Sequence, residues 1–290
     1  MLSYLFFRVF VFIFRFIPFP VLYKISDGLS WLLYKVVKYR REVIITNLKN
    51  SFPEKSVVEL EDICRKSYTN MSDIILESLK SFSMSEKEIR EKCKFLNPEI
   101  INDETRFNGH SLQVAAHFAN WELVALAYSL YIDRRNFAFY KPLSNNYIND
   151  FTLKNRISTG LAFVSVNKPA QVFKDFANEK NVPSTFLLVS DQSPVSPKSH
   201  WVKFLNQDTA CLRGADVYAR LYNLPVYYID IQRVTRGFYT VKLKLLTDVP
   251  RLISPQGITE MFMQELETLI RRKPEDWLWS HKRWKMKKKD

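Results

Sequence analysis

The chain has 290 residues, of which 47% are hydrophobic and 25% charged, and a formal net charge of +13. That length suits one large domain or two small ones, and that composition excludes a disordered chain. The excess of 43 Lys and Arg over 30 Asp and Glu favours an acidic partner (nucleic acid, anionic lipid head groups or an acidic protein), and charge alone does not choose among them. Cys64, Cys93 and Cys211 lie far apart with no C-x-x-C pair, so neither a disulfide framework nor a zinc site is indicated and a reducing compartment is expected.

The first stretch, Leu2 to Ile17, reads LSYLFFRVFVFIFRFI and is apolar apart from Arg8 and Arg15, which share one helical face. Pro18 and Pro20 are expected to end the regular helix. At 1.5 Å per residue it covers roughly 24 Å, short of the ~30 Å hydrocarbon core of a bilayer. It reads as a membrane segment, either a short span with snorkelling arginines or a helix lying flat in the interface, with a buried core helix as the bland alternative. Arg15 interrupts the apolar run and no small-residue cleavage site follows, which argues against a secretory signal. Lys24, Lys35, Lys38, Arg40 and Arg41 follow closely, so the positive-inside rule places the body on the cytoplasmic side. Residues 1–23 are thus expected to anchor a single domain of residues 24–290. A second amphipathic stretch, Leu29 to Val37, is expected to pack on the body or the membrane.

Helices are expected over Ser56–Lys80 and Ser85–Lys94. The pattern then alternates: a strand at Leu112–Ala116, a helix at Trp121–Leu130, a strand at Phe137–Tyr140, and a helix at Ser144–Ile157 stopped by Gly160. A strand at Leu161–Val166, a helix at Pro169–Glu179, a buried strand at Thr185–Val189 and a helix at Leu212–Tyr222 follow. Val226–Val234 and Tyr239–Leu246 read as paired antiparallel strands across Arg236–Gly237, and Ile258–Arg272 as the last helix. Such alternation predicts an α/β fold, a mixed, mostly parallel sheet flanked by helices, with its site beyond the carboxyl ends of strands.

One constellation carries chemistry. His117-Phe118-Ala119-Asn120-Trp121-Glu122 falls where a strand passes into a helix. Residues five apart on one helix point about 140° away from each other, so the pair meets only if His117 is in the turn and Glu122 in the first helical turn, with Asn120 as N-cap. A carboxylate on one imidazole nitrogen fixes the tautomer and leaves the other to take a proton from an alcohol, an effect of roughly 10²–10⁴-fold. A capping histidine and a surface glutamate would show the same spacing.

The wider pattern is more specific. RREVIITNLKNSFPE beginning at Arg40, HFANWE, YKPLSN at Tyr140–Asn145, NRISTG at Asn155–Gly160, SDQSP at Ser190–Pro194 and PEDWLWSHKRWK at Pro274–Lys285 occur in the order seen in the lipid A biosynthesis acyltransferases, which transfer lauroyl or myristoyl chains. H-x-x-x-x-E itself resembles the H-x-x-x-x-D/E motif of the glycerolipid acyltransferase superfamily. The resemblance covers nearly the whole chain. It implies an acyl donor on acyl carrier protein, a lipid A precursor as acceptor, His117 as base oriented by Glu122, an inner-membrane location, and no metal or cofactor. The sequence carries neither H-E-x-x-H nor a Gly-rich phosphate loop.

Other residues in these blocks are candidate substrate contacts. Arg156 would stabilise an oxyanion or hold a phosphate, or else be a surface arginine. Lys141 stands where the family often has Arg and would act as a point charge. Asn145 is a contact or part of a helix N-terminus. Asp191 and Gln192 bind the acceptor sugar or order their loop, with equal weight. His200 and His281 read as structural. Trp277, Trp279, Trp284 and six cations among the last ten residues resemble an interfacial anchor, unless the tryptophans are in the core. Two other functions stay open: a transferase of the same fold acting on a phosphoglycolipid or aminolipid, and a non-catalytic basic membrane-surface binder. No nucleic-acid motif is present.

Overall fold

The computed structural model describes residues 2–103, 109–157, 159–166, 169–177, 179, 182–195 and 199–288. The chain opens with α1 (Leu2–Phe16) and α2 (Phe19–Trp31), followed by one π-helical turn at Leu32–Val36. Pro18 and Pro20 therefore end one helix and start another. Pro18 is the N-cap of α2 and Pro20 lies in its first turn, where a missing N–H costs nothing. Lys80 donates from Nζ to the carbonyls of Phe14 (3.1 Å) and Arg15 (2.7 Å), satisfying the end of α1.

Next come α3 (Arg41–Ser51), α4 (Val57–Ser81), α5 (Glu86–Lys92), β1 (Cys93–Phe95), α6 (Glu99–Asn102), β2 (Ser111–Ala115), α7 (Trp121–Tyr131) and β3 (Arg135–Tyr140). Then follow α8 (Asn146–Ile157), β4 (Leu161–Ser165), α9 (Pro169–Phe176), β5 (Ser184–Val189), β6 (His200–Phe204) and β7 (Gln207–Cys211). The chain closes with α10 (Gly214–Tyr222), β8 (Val226–Thr235), β9 (Phe238–Thr247), α11 (Gly257–Arg272) and a 3₁₀ turn at Pro274–Asp276. Ser56 and Glu59 form a capping box that starts α4.

Seven strands form one sheet in the order β1-β9-β8-β2-β5-β3-β4, parallel throughout except between β8 and β9. The mixed, mostly parallel sheet with flanking helices matches the expectation from alternation. Strand β2 is buried along its whole length, as a central parallel strand covered on both faces must be. Several elements went unpredicted, α3, α6, β1 and the hairpin β6–β7 among them. Cys93 and Lys94 were expected to end the helix that begins at Ser85, but with Phe95 they form β1, Cys93 and Phe95 buried and Lys94 exposed in strand alternation. The antiparallel hairpin β6–β7 turns at Leu205 and Asn206, both with positive φ (48° and 65°), a two-residue turn whose sequence carries no glycine to announce it.

No helix among the described residues is long and apolar enough to cross a membrane. Leu5, Phe6, Phe10, Phe12 and Phe16 of α1 nevertheless remain exposed, Phe12 and Phe16 by 62% and 67%. Helix α2 packs on α4. There Asp73, fully buried, accepts from Ser26 Oγ (2.5 Å), Arg233 Nη2 (2.5 Å) and Arg236 Nη2 (2.6 Å).

Candidate active site

Strands β2 and β5 are parallel neighbours, with Ala115 opposite Val189. Their carboxyl ends lie side by side, and Ser190 N donates to Ala115 O at 3.0 Å. The chain then leaves both strands at the same end of the sheet, the usual place for a site in an open α/β fold. His117 lies two residues past Ala115, and Asp191 two residues past Val189.

Asp191 Oδ1 accepts from His117 Nδ1 at 2.7 Å, and its Oδ2 accepts from the His117 backbone N–H at 3.1 Å. Trp277 Nε1 donates to the same Oδ2 at 2.9 Å. The carboxylate is only 2% exposed, so these donors replace the water it lost. Burial pushes its pKa up, but the His117 charge and the three hydrogen bonds outweigh burial and hold it below the usual value. Burial likewise disfavours the imidazolium of His117. The charge and hydrogen bond of Asp191, with the charge of Glu122 behind them, reverse this and hold the ring above its ordinary value. An acceptor on Nδ1 places the proton there and leaves the Nε2 lone pair to accept one. Gln192 Nε2 sits 3.2 Å from that nitrogen.

The turn carrying His117 is tied to the C-terminal segment. Phe118 pairs with Trp277 in an isolated antiparallel bridge, Leu278 N donates to His117 O (3.2 Å), and Ala119 N donates to Asp276 O (2.8 Å). Ala119 holds the left-handed conformation, φ 48°, which an alanine adopts only when its surroundings enforce it. Asn120 caps α7, its Oδ1 accepting from Leu123 N at 2.9 Å, and Glu122 lies in the first turn. His117 in the turn, Asn120 as cap and Glu122 in the first helical turn are placed as the spacing requires. The hydrogen-bonded partner of the ring, expected to be Glu122, is Asp191. Glu122 adds to the ring's basicity through its charge.

Gln192 lies beside the ring. Lys141 follows β3 at the same edge of the sheet and is exposed. Asn145 caps α8, accepting from Ile148 N at 3.2 Å. The side chain of Arg156, near the end of α8, lies outside the described residues. Trp277 was missed. Its indole reads as an interfacial aromatic in sequence, yet Trp277 and Trp279 are buried and Lys287 and Lys288 exposed. Arg283, only 1% exposed, donates to Ala210 O at 2.7 Å. His281 is structural: its Nε2 accepts from Ser193 N at 3.2 Å, and burial pushes its pKa down to about 4, which keeps it a neutral acceptor. His200 pairs with Glu260 on α11 at 2.9 Å. Among the described residues, no group of three His, Cys, Asp or Glu side chains is arranged to hold a metal ion.

A buried carboxylate–imidazole pair at the mouth of a mostly parallel α/β sheet is equipped for base-catalysed group transfer. The profile of the bacterial lipid A biosynthesis acyltransferases matches residues 1–286, and the chain belongs to that family and is an acyltransferase. It is similar to the lipid A biosynthesis lauroyltransferase of Escherichia coli (strain K12), at 22% identity over 271 residues, 93% of this chain and 87% of the relative. The lipid A biosynthesis palmitoleoyltransferase of the same organism is 20% identical over 275 residues, 93% of this chain and 86% of the relative. A lipid A biosynthesis acyltransferase of Shigella flexneri aligns to the same extent.

Proposed function

We propose that the protein moves a fatty acyl chain from the thioester of an acyl carrier protein to a hydroxyl of a lipid A precursor, at the cytoplasmic face of the inner membrane. The observation that carries the mechanism is the 2.7 Å contact between Asp191 Oδ1 and His117 Nδ1, which leaves Nε2 as the proton-accepting nitrogen, beside the Gln192 amide that the acceptor hydroxyl displaces. Nε2 takes the proton of the acceptor hydroxyl, which enters beside Gln192. The alkoxide attacks the thioester carbonyl, the tetrahedral oxyanion collapses, the C–S bond breaks, and the departing thiolate takes the proton from Nε2. Asp191 stays ionised throughout and stabilises the imidazolium, as does the charge of Glu122.

Membrane contact is supported by α1 and α2. Fifteen residues of α1 cover roughly 22 Å, too short to span, so α1 lies in the interface with its exposed Phe, Leu and Ile among the acyl chains. Exposed Lys24, Lys35, Lys38 and Arg40 beside Trp31, Val36 and Val37 continue this face at head-group level. The surplus of 13 positive charges suits both anionic lipid and an acidic carrier protein.

The test is incubation of purified protein in vesicles with acyl carrier protein loaded with a fatty acid and with a lipid A precursor. A mass increase of one acyl chain on the acceptor is expected. No increase with either Kdo-bearing or bare acceptor rejects the proposal, and an acyl chain arriving instead on a phosphoglycolipid or aminolipid reassigns the acceptor.

A further inference from the structure

The carboxylate of Glu77, on α4, is 5% exposed and takes no part in the acyl transfer proposed above. Three hydrogen bonds converge on it from three separate parts of the chain. Its Oε2 accepts from Asn120 Nδ2 at 2.6 Å and from Tyr239 OH, on β9, at 2.8 Å. Its Oε1 accepts from Tyr23 OH, on α2, at 2.9 Å. The Asn120 NH₂ can only donate, so the cluster needs an acceptor oxygen at position 77 facing it, and Glu77 supplies one.

The contact with Asn120 has a geometric consequence. Donation from Nδ2 to Glu77 fixes which way the amide faces and leaves Oδ1 for Leu123 N, the capping bond of α7. That cap sets where α7 begins, and so where Glu122 sits relative to His117. The same residue follows the left-handed Ala119, whose conformation closes the turn from His117 into the helix. A buried acceptor behind the cap thus decides the orientation of the loop that carries the base.

We propose that Glu77 is a positioning residue of the acyl transfer site, acting on His117 and Glu122 through the Asn120 amide. Tyr23 makes α2, the second helix of the apolar outer layer, part of the same cluster. The proposal rests on the acyl transfer reading above, and one readout is chosen to be independent of it.

The chemistry predicts a rescue. Glu77→Gln keeps the contact, because its carbonyl oxygen still accepts from Asn120 and Tyr239 while its NH₂ turns to the Tyr23 hydroxyl oxygen. Asn120→Asp places a carboxylate against Glu77 and breaks it. The double variant E77Q/N120D reverses the polarity of the bond. The new amide at position 77 then donates to one oxygen of the new carboxylate at position 120. The other oxygen of that carboxylate still caps Leu123 N, and Asp is as good an N-cap as Asn. The second N–H of the position-77 amide meets the Tyr239 hydroxyl oxygen, and its carbonyl oxygen still accepts from Tyr23.

The experiment uses the full chain in vesicles and compares wild type, both single variants and the double variant. With acyl carrier protein and glycolipid acceptor, Asn120→Asp is expected to lower kcat about 10- to 100-fold with KM changed less than about threefold, since positioning rather than binding is lost, while Glu77→Gln is expected to stay within about threefold of wild type. The double variant is expected to recover to within about threefold of wild type. Amide hydrogen exchange of the peptide containing Leu123, measured without substrate, is expected to quicken in Asn120→Asp and to slow again in the double. Wild-type kcat in Asn120→Asp, or a double variant no better than Asn120→Asp in either readout, overturns the proposal. If Asn120→Asp fails to fold, recovery of fold and activity in the double supports it and absence of recovery overturns it. An inactive wild type with the exchange pattern intact rejects the acyl transfer reading and leaves the loop assignment standing.

Discussion

Asp191 and His117 are 74 residues apart in sequence, yet each stands two residues beyond one member of the register pair Val189–Ala115, and their side chains meet at 2.7 Å. Two parallel strands ending together present the imidazole and its carboxylate to each other. The arrangement makes Asp191 the carboxylate that orients the ring and Glu122 an added charge.

The two carboxylates are therefore expected to differ on mutation. Asp191→Asn removes the charge that stabilises the imidazolium and is expected to lower kcat about 10²–10⁴-fold, while Glu122→Gln, which leaves the Asp191 contact in place, is expected to cost less. Steady-state acyl transfer by both variants checks the order. A larger loss in Glu122→Gln would make the motif glutamate the principal partner.

The pH profile follows from the raised pKa of His117. A ring held above 6.5 stays protonated, and is no base, until the pH passes its folded value, so kcat/KM is expected to rise with pH along a limb centred above 6.5. In Asp191→Asn that limb is expected to move down. The pair also contributes stability. The His117 share is full below 6.5 and lost as pH rises through the raised value, and the Asp191 share is full above 3.8 and lost as pH falls through the lowered one. The gap in melting temperature between wild type and Asp191→Asn is therefore expected to be widest between 3.8 and 6.5.

Trp277→Phe keeps most of the buried ring and removes one donor to Asp191. Loss of a hydrogen bond to a buried charge is expected to cost about 1.5–3 kcal/mol, read by denaturant titration. A cost below about 0.5 kcal/mol would mean the indole N–H contributes packing alone.

Asp73→Ala leaves Arg233 and Arg236 without their shared carboxylate. Breaking a buried pair costs ~3–5 kcal/mol, and because these guanidiniums are 15% and 30% exposed the expected loss is about 2–4 kcal/mol. Chemical denaturation measures it, and the loss is expected to fall in high salt only slightly, since Asp73 itself is fully buried.

The outer face of α1 is expected to bind lipid. Phe10→Asp and Phe12→Asp each remove an apolar side chain worth ~1.5–3 kcal/mol from the interface and add a negative charge. Vesicle sedimentation is expected to show about a 10-fold or greater loss of binding for each, with the fold unchanged by circular dichroism because both side chains are exposed. Undiminished binding would place the contact elsewhere.

What the sequence determined by itself is what depends on neighbours in the chain. Alternation of apolar runs located most helices and strands, and Arg236–Gly237 marked the antiparallel pair β8–β9 within the large sheet. The five-residue spacing, with Asn120 between, placed His117 in a turn and Glu122 in the first turn of α7. Ordered blocks identified the family. Only the tertiary structure decided the partner of the His117 ring. Asp191 reaches His117 because β2 and β5 are adjacent and in register, a pairing of strands distant in sequence that no local spacing encodes. The same holds for Trp277, an interfacial aromatic by composition, which the return of the C-terminal segment against Phe118 turns into a buried donor to Asp191. It holds too for Glu77, an ordinary helical glutamate until three donors from α2, β9 and the turn after β2 close on it. Local pattern reports the burial each segment needs, and packing alone reports which buried groups satisfy one another.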